Sequence, residues 1–346
     1  MSRMLEEIRQ QPEALARTLA GEMRHVEKFR QRMEKKRPRL IVLVARGTSD
    51  NAALFGRYLV EITTGIPVSL AAPSITTLYD APLDYRDALV VALSQSGEST
   101  DTNLVLERAR QRGAATLGIT NEAGSSLAKI AEEVFLVRAG REKSVAATKT
   151  YTGQLLTMYL LAHTLGGSIR LSDLERLPEA AERALGLESE INALSERYRF
   201  MRNAVVIGRG LNYSNAFEFA LKLMETCYVV AERFSSADFM HGPIAFVEQG
   251  FPVFAFAPAG KAWGAMNGML AKLGALKAEI VVVTDAGNPA ALEHATKAIR
   301  IPRRTAEVMT PIPYIIPAQL FAACLAGQKG LNPDQPRTLS KVTRTM

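Results

Sequence analysis

Residues 92 to 103 read ALSQSGESTDTN, placing Ser94, Ser96, Ser99, Thr100 and Thr102 directly behind the apolar run Ala88 to Leu93. The first amides of a helix lack internal acceptors and carry partial positive charge, so hydroxyls gathered there can wrap a tetrahedral anion. The loop has no GxxxxGK[ST] lysine to meet the β and γ phosphates of a nucleotide, and a phosphate monoester suits it better than a triphosphate. Its simpler use is to cap a helix starting near Thr100, for which one serine would suffice.

A second group of reactive types lies in AFEFALKLME, residues 216 to 225, where Glu218, Lys222 and Glu225 recur at i, i+4 and i+7 on one helical face. The residues between them are mostly apolar, so the stripe reads either as a solvent-facing ion pair or as a charged face turned into a cleft, where acid–base work is done. His241 stands in FMHGPIAFV before a Gly-Pro turn and ahead of a strand, and Lys341 stands among hydroxyls in TLSKVT. By residue type alone, each suits a structural histidine or a solvated lysine as well as a reactive group.

The elements that must position these residues repeat. LIVLVARGTSDNAALFGRYLVEITTGIPVSLAAPS reads strand, glycine turn, helix, strand, and ALVVALSQSGESTDTNLVLERARQRGAATLGIT repeats that order. Two later segments, from Asn203 and from Phe251, do the same. Arg46-Gly47 and Arg209-Gly210 stand 163 positions apart (209 − 46), and at that offset Ala88 to Ser94 falls without a gap on Phe251 to Ala257. The chain therefore reads as an internal duplication of an α/β fold: two tandem doubly wound parallel-sheet domains covered by helices on both faces. Expected boundaries are an N-terminal helical arm at 1–36, a first domain at 37–165, linking helices broken near Pro178 at 166–199, a second domain at 200–330 and a C-terminal tail at 331–346. At the same offset FAPAGKAWG replaces LSQSGESTD, so the hydroxyls belong to the first half alone.

With 346 residues, 47% of them hydrophobic and 22% charged, the chain can bury two ordinary cores. No apolar run is long enough for a membrane-spanning helix and the N-terminus has no signal-peptide core, so a cytoplasmic protein is expected. The net charge of +7 includes the basic run RQRMEKKRPR, which has no interleaved aromatics and reads as a solvated helix face rather than a nucleic-acid site. Cys227 and Cys324 sit in apolar helical patterns and read as core residues, and the four histidines show no ligand spacing, so neither metal nor cofactor is expected. GRGLNY, with Glu232 22 positions after Gly210, hints at a dinucleotide turn, but Tyr213 occupies the place of the third glycine.

Taken together, RGTS, SQSGES, VAATK, GRG, the ExxxKxxE helix, HGP and DQPRTLSKVT resemble the sugar isomerase (SIS) family. The likeness is to the isomerase half of glutamine:fructose-6-phosphate amidotransferases and to glucosamine-6-phosphate deaminases, and it runs from about Arg39 to Thr345. It implies flavodoxin-like SIS domains in which Ser94, Gln95, Ser96 and Ser99 hold a sugar phosphate, helped by Thr48 and Ser49 and by the loop carrying Val145, Ala147 and Thr148. It further implies that Glu225 moves a proton between C1 and C2, supported by Lys222 and Glu218. His241 would open the sugar ring from across a homodimer interface, and Lys341 would form an imine with the ketose as the tail closes over bound sugar. Ala147 replaces a serine common in the synthases, removing one polar contact.

The sequence opens on the arm without a leading cysteine, so no glutaminase partner domain is expected, and APS, SSADFMHGP and NPDQP resemble the deaminase branch. The expected activity is conversion of glucosamine 6-phosphate to fructose 6-phosphate and ammonia, on a sugar-phosphate substrate with no nucleic-acid or membrane partner. The alternatives are an ammonia-dependent glucosamine-6-phosphate synthase, a sugar-phosphate deglycase and, outside enzymes, a sugar-phosphate-binding regulator. A regulator should lack Glu225, His241 or Lys341, and all three are present.

Overall fold

The strands expected of each half form two parallel sheets in the computed structural model, which describes residues 2–341. The first sheet contains β1 (Leu40–Val44), β2 (Val68–Leu70), β3 (Ala88–Leu93), β4 (Ala115–Thr120) and β5 (Glu133–Leu136), in the order β2-β1-β3-β4-β5. The second contains β6 (Asn203–Gly208), β7 (Val230–Ser235), β8 (Pro252–Phe256), β9 (Glu279–Asp285) and β10 (Lys297–Ile301), and reads β7-β6-β8-β9-β10 from the corresponding edge. Moved forward by 163 positions, every strand of the first sheet starts within one residue of its counterpart. The helices Thr48–Thr64, Thr100–Gln111 and Lys149–Thr164 likewise map onto Tyr213–Cys227, Trp263–Ala275 and Pro311–Gln328. The duplication thus extends through the whole α/β unit.

Burial explains why the strands lack alternation. All six residues of β3 are buried, as expected for a central parallel strand with helices on both faces. Val42, Val44, Val90, Ala92, Val105 and Leu106 build one core in the first half. In the second half, Val205, Ile207, Val253, Ala255, Met266 and Leu270 build its counterpart. Cys227 and Cys324 are both buried free thiols. Among the described residues no helix is long and apolar enough to cross a membrane.

The chain divides into two compact units that interleave along the sequence. One comprises Gln10–Glu142, Lys149–Pro178 and the chain from Leu339, and carries the first sheet; the other comprises the start through Arg9, Lys143–Thr148 and Glu179–Thr338. The arm is therefore two helices, Arg3–Arg9 and Gln11–Lys35, belonging to different units. The linking helices are interrupted at 175–176, between Leu171–Leu174 and Leu177–Leu185, and Pro178 occupies the second position of the later helix, where a missing N–H costs nothing. After His241 the chain makes a 3-10 turn, Pro243–Phe246, and the strand begins only at Pro252.

The helix Gln11–Lys35 is fastened to β5 by a mixed charge cluster. His25 Nε2 lies 2.9 Å from Glu133 Oε2 and its Nδ1 lies 3.7 Å from Glu22, which Arg138 also engages at 2.6 Å. Hydrogen bonding to Glu22 and then Glu133 outweighs the cost of burial and raises the His25 pKa above 6.5. A raised folded-state pKa gives stability that is fully present below the unfolded value and is lost as pH rises through the folded one. Urea unfolding should therefore show wild type exceeding His25→Gln at pH 6, with the gap closing above neutrality. A gap independent of pH would contradict the assignment.

Candidate functional site

The hydroxyl loop leaves the carboxyl end of β3 and enters the helix Thr100–Gln111. Ser99 is the residue before that helix, but its hydroxyl makes no capping bond. It donates instead to Asp101 Oδ1 at 3.0 Å and lies 3.0 Å from Thr102 Oγ1. Capping therefore does not account for the hydroxyls. Ser94 Oγ accepts from the Gly97 amide at 3.1 Å and Ser96 Oγ from the Glu98 amide at 3.2 Å. Each of these hydroxyls keeps its own proton for an outside acceptor.

The loop is held open by its surroundings. Gly97 has φ 67°, and a Cβ there would meet Ser125 Oγ at 2.2 Å, so no other residue fits without displacing its neighbour. Its carbonyl accepts from Asn103 Nδ2 and from the Leu127 amide, both at 3.0 Å, while the Gln95 carbonyl accepts from the Asn121 amide at 3.1 Å. Asp101, fully buried at the first turn, accepts from the Thr102 amide at 2.8 Å and from Arg46 Nε at 2.6 Å. These bonds fix the hydroxyls before any ligand arrives.

Gln95 and Ser96 open on a cleft of about 680 Å³ whose lining includes Arg17, Asn121, Arg141 and Lys341. Lys341 Nζ lies 3.2 Å from Glu142 Oε2, and the Glu142 carboxylate is wholly buried. Glu142 also accepts from the Thr150 amide at 3.1 Å and from Thr150 Oγ1 at 2.5 Å. The lysine of the tail and the hydroxyl loop, far apart in sequence, thus line the same cleft.

The charged stripe lies on the helix Tyr213–Cys227, behind the Gly208-Arg209-Gly210 turn. It does not face solvent. The side chains of Glu218 and Lys222 are 0% exposed, whereas that of Glu225 is 20% exposed. Lys222 Nζ bridges them, 3.3 Å from Glu218 Oε1 and 2.5 Å from Glu225 Oε2. Burial disfavours its ammonium form, but the carboxylates on either side outweigh that and raise its pKa above the ordinary lysine value. Lys222 is consequently a fixed cation near neutral pH. Glu225 is the member of the triad with surface left for a ligand.

The remaining candidates fall in different settings. Thr48 and Ser49 begin the helix Thr48–Thr64, and buried Ser49 Oγ accepts from Gln154 Nε2 at 2.9 Å, leaving its own proton to donate. Val145, Ala147 and Thr148 group with the unit of the second sheet, where the Thr148 carbonyl accepts from Gln319 Nε2 at 3.3 Å. Glu7 secures the start of that loop by accepting from the Lys143 and Ser144 amides. His241 ends a short helix with its ring exposed, and the ring makes no hydrogen bond among the described residues.

Two segments, residues 35–164 and 199–327, match the SIS domain. The chain belongs to the SIS domain family. As a SIS protein it is 38% identical over 346 residues to glutamine–fructose-6-phosphate aminotransferase (isomerizing) of Pyrococcus horikoshii and 34% identical over 342 residues to the same enzyme of Aquifex aeolicus. Each alignment covers 98% of this chain but 57% of the relative, so the SIS chain spans little more than half the length of these proteins. Among solved structures, the C-terminal domain of glucosamine-fructose-6-phosphate aminotransferase from Francisella tularensis superposes with a TM-score of 0.88 at 28% identity, over 97% of this chain and 98% of that one. Glucosamine-6-phosphate deaminase from Thermotoga maritima shares the fold, with a TM-score of 0.72 at 23% identity over 96% of this chain and all of that one.

Sequence reasoning missed Glu142 and the Arg46–Asp101 pair. Glu142 lies in an irregular loop, and no periodic pattern marks it for burial. Asp101 had a legible signal, an acid in the first turn of a helix beside the hydroxyls it orders.

Proposed function

We propose that the chain is an amino-sugar-phosphate isomerase and deaminase that converts glucosamine 6-phosphate and water to fructose 6-phosphate and ammonia. The observation that carries this is the buried Lys222 held between two carboxylates, of which Glu225 alone retains exposed surface. In the open-chain sugar, removal of the C2 proton gives an enolamine, and returning a proton to C1 leaves an imine at C2. Water then adds and ammonia departs. A carboxylate suits the proton transfers, and the fixed Lys222 cation helps stabilise the charge that develops beside it.

The other residues take supporting parts. Ser94, Gln95 and Ser96, with Thr48 and Ser49, bind the phosphate, Ser99 joins them once its hydroxyl turns from Asp101, and Val145, Ala147 and Thr148 contact the sugar. Lys341 can displace ammonia by forming its own imine at C2, which water later cleaves. To attack, its amine must give up a proton, and Glu142 at 3.2 Å is the carboxylate beside it. His241 opens the sugar ring in the site of a second copy, a part supported by its exposure to solvent. The resemblance to aminotransferases supports a second reading in which the same residues run from fructose 6-phosphate and ammonia toward the amino sugar.

Incubation with glucosamine 6-phosphate should release fructose 6-phosphate and ammonia in equal amounts. Ser96→Ala removes one charge-assisted hydrogen bond, worth roughly 1.5–3 kcal/mol, and should raise KM about 10- to 100-fold with kcat little changed. Tight binding of the sugar without ammonia release would defeat the deaminase reading. An unchanged KM in Ser96→Ala would defeat the phosphate assignment.

A further inference from the structure

At the offset of 163, Gly97, Glu98 and Ser99 of the hydroxyl loop correspond to Gly260, Lys261 and Ala262. Ser99 and Ala262 stand immediately before equivalent helices, Thr100–Gln111 and Trp263–Ala275. The second position is not vacant. Glu307, from the segment that follows β10, lays its carboxylate across it, accepting from the Lys261 amide at 2.6 Å and from the Ala262 amide at 3.1 Å. Gly260 has φ 142°, and a Cβ there would meet Glu307 Oε2 at 2.2 Å, so the glycine admits the carboxylate. An internal anion therefore sits on the amides at the positions of Glu98 and Ser99, of which the Glu98 amide in the first half is held by Ser96 Oγ, a partner that Ala259 cannot supply.

We propose that Glu307 is a built-in occupant of the second half's anion site, and that without it this position binds a phosphate monoester or inorganic phosphate. This rests on the reading that the first-half loop binds phosphate. Two amides at a helix N-terminus serve a carboxylate and a phosphate by the same means, aligned N–H groups and the positive end of the helix. Duplication would have given the chain two such positions. Filling one with a tethered carboxylate, alongside loss of its hydroxyls to Ala257 and Ala259, leaves the phosphate to the first-half loop.

The test counts phosphate sites by equilibrium dialysis of the full chain with labelled inorganic phosphate. Wild type should bind one per chain, Glu307→Ala two, Ser94→Ala/Ser96→Ala none, and the triple variant one. Thermal unfolding gives a second readout should Glu307→Ala be unstable. Phosphate should raise the melting temperature of the triple variant but not that of Ser94→Ala/Ser96→Ala, and Glu307→Gln on that serine-free background should gain less than Glu307→Ala. A Glu307→Ala chain that binds one phosphate, or that stays unfolded whatever the phosphate concentration, overturns the inference while leaving the first loop's role standing. Full phosphate binding by Ser94→Ala/Ser96→Ala would instead overturn the reading on which it rests.

Discussion

Glu225→Gln is expected to lower kcat on glucosamine 6-phosphate by roughly 10²- to 10⁴-fold, the range over which a positioned acid or base contributes. Its KM should stay within a few-fold of wild type, because Glu225 takes no part in the phosphate loop. Glutamine keeps the shape and can still accept a hydrogen bond from Lys222 Nζ, now 2.5 Å from Glu225 Oε2, but it cannot take a proton from carbon. The division between kcat and KM distinguishes this role from a structural one. A loss expressed mainly in KM, or a fall in turnover matched by loss of folded protein, would assign Glu225 to holding the helix in place.

Lys222→Met should be the most destabilising single replacement in the site, costing about 3–5 kcal/mol, the usual range when a buried ion pair loses one member. Methionine fills much the same volume and the apolar surroundings tolerate it. The carboxylates are left without their cation, and the wholly buried Glu218 has no route to solvent. Exchanging Glu218 for Gln in the same chain should restore a large part of the loss, since one buried negative charge is then removed. Urea unfolding of the single and double variants measures both effects. A cost below about 1 kcal/mol for Lys222→Met would place the cluster among ordinary surface ion pairs.

The fold was legible because it is written twice. Continuous apolar strands such as Ala88–Leu93 announce central parallel strands, and the 163-residue offset aligns Arg46-Gly47 with Arg209-Gly210. Helical spacing likewise put Glu218, Lys222 and Glu225 on one face. It could not say which way that face turned, because period 3.6 reports neighbours along a helix and is silent about what lies opposite. Burial of Glu218 and Lys222 settled that they are an internal pair. Glu142 and Glu307 were invisible for a related reason. Both are tertiary partners in irregular segments, chosen by the amides and the lysine they meet across the fold and not by any local repeat.

Solvent hydrogen exchange into the sugar tests most directly whether Glu225 moves a proton between adjacent carbons. Glucosamine 6-phosphate incubated with the protein in D₂O, followed by proton NMR, should yield fructose 6-phosphate carrying deuterium at C1. Glu225→Gln should form product and label roughly 10²- to 10⁴-fold more slowly, while still broadening the phosphorus resonance of the bound sugar. Label entering at the wild-type rate in Glu225→Gln would show that another group removes the proton, and the role given to the helix Tyr213–Cys227 would be wrong.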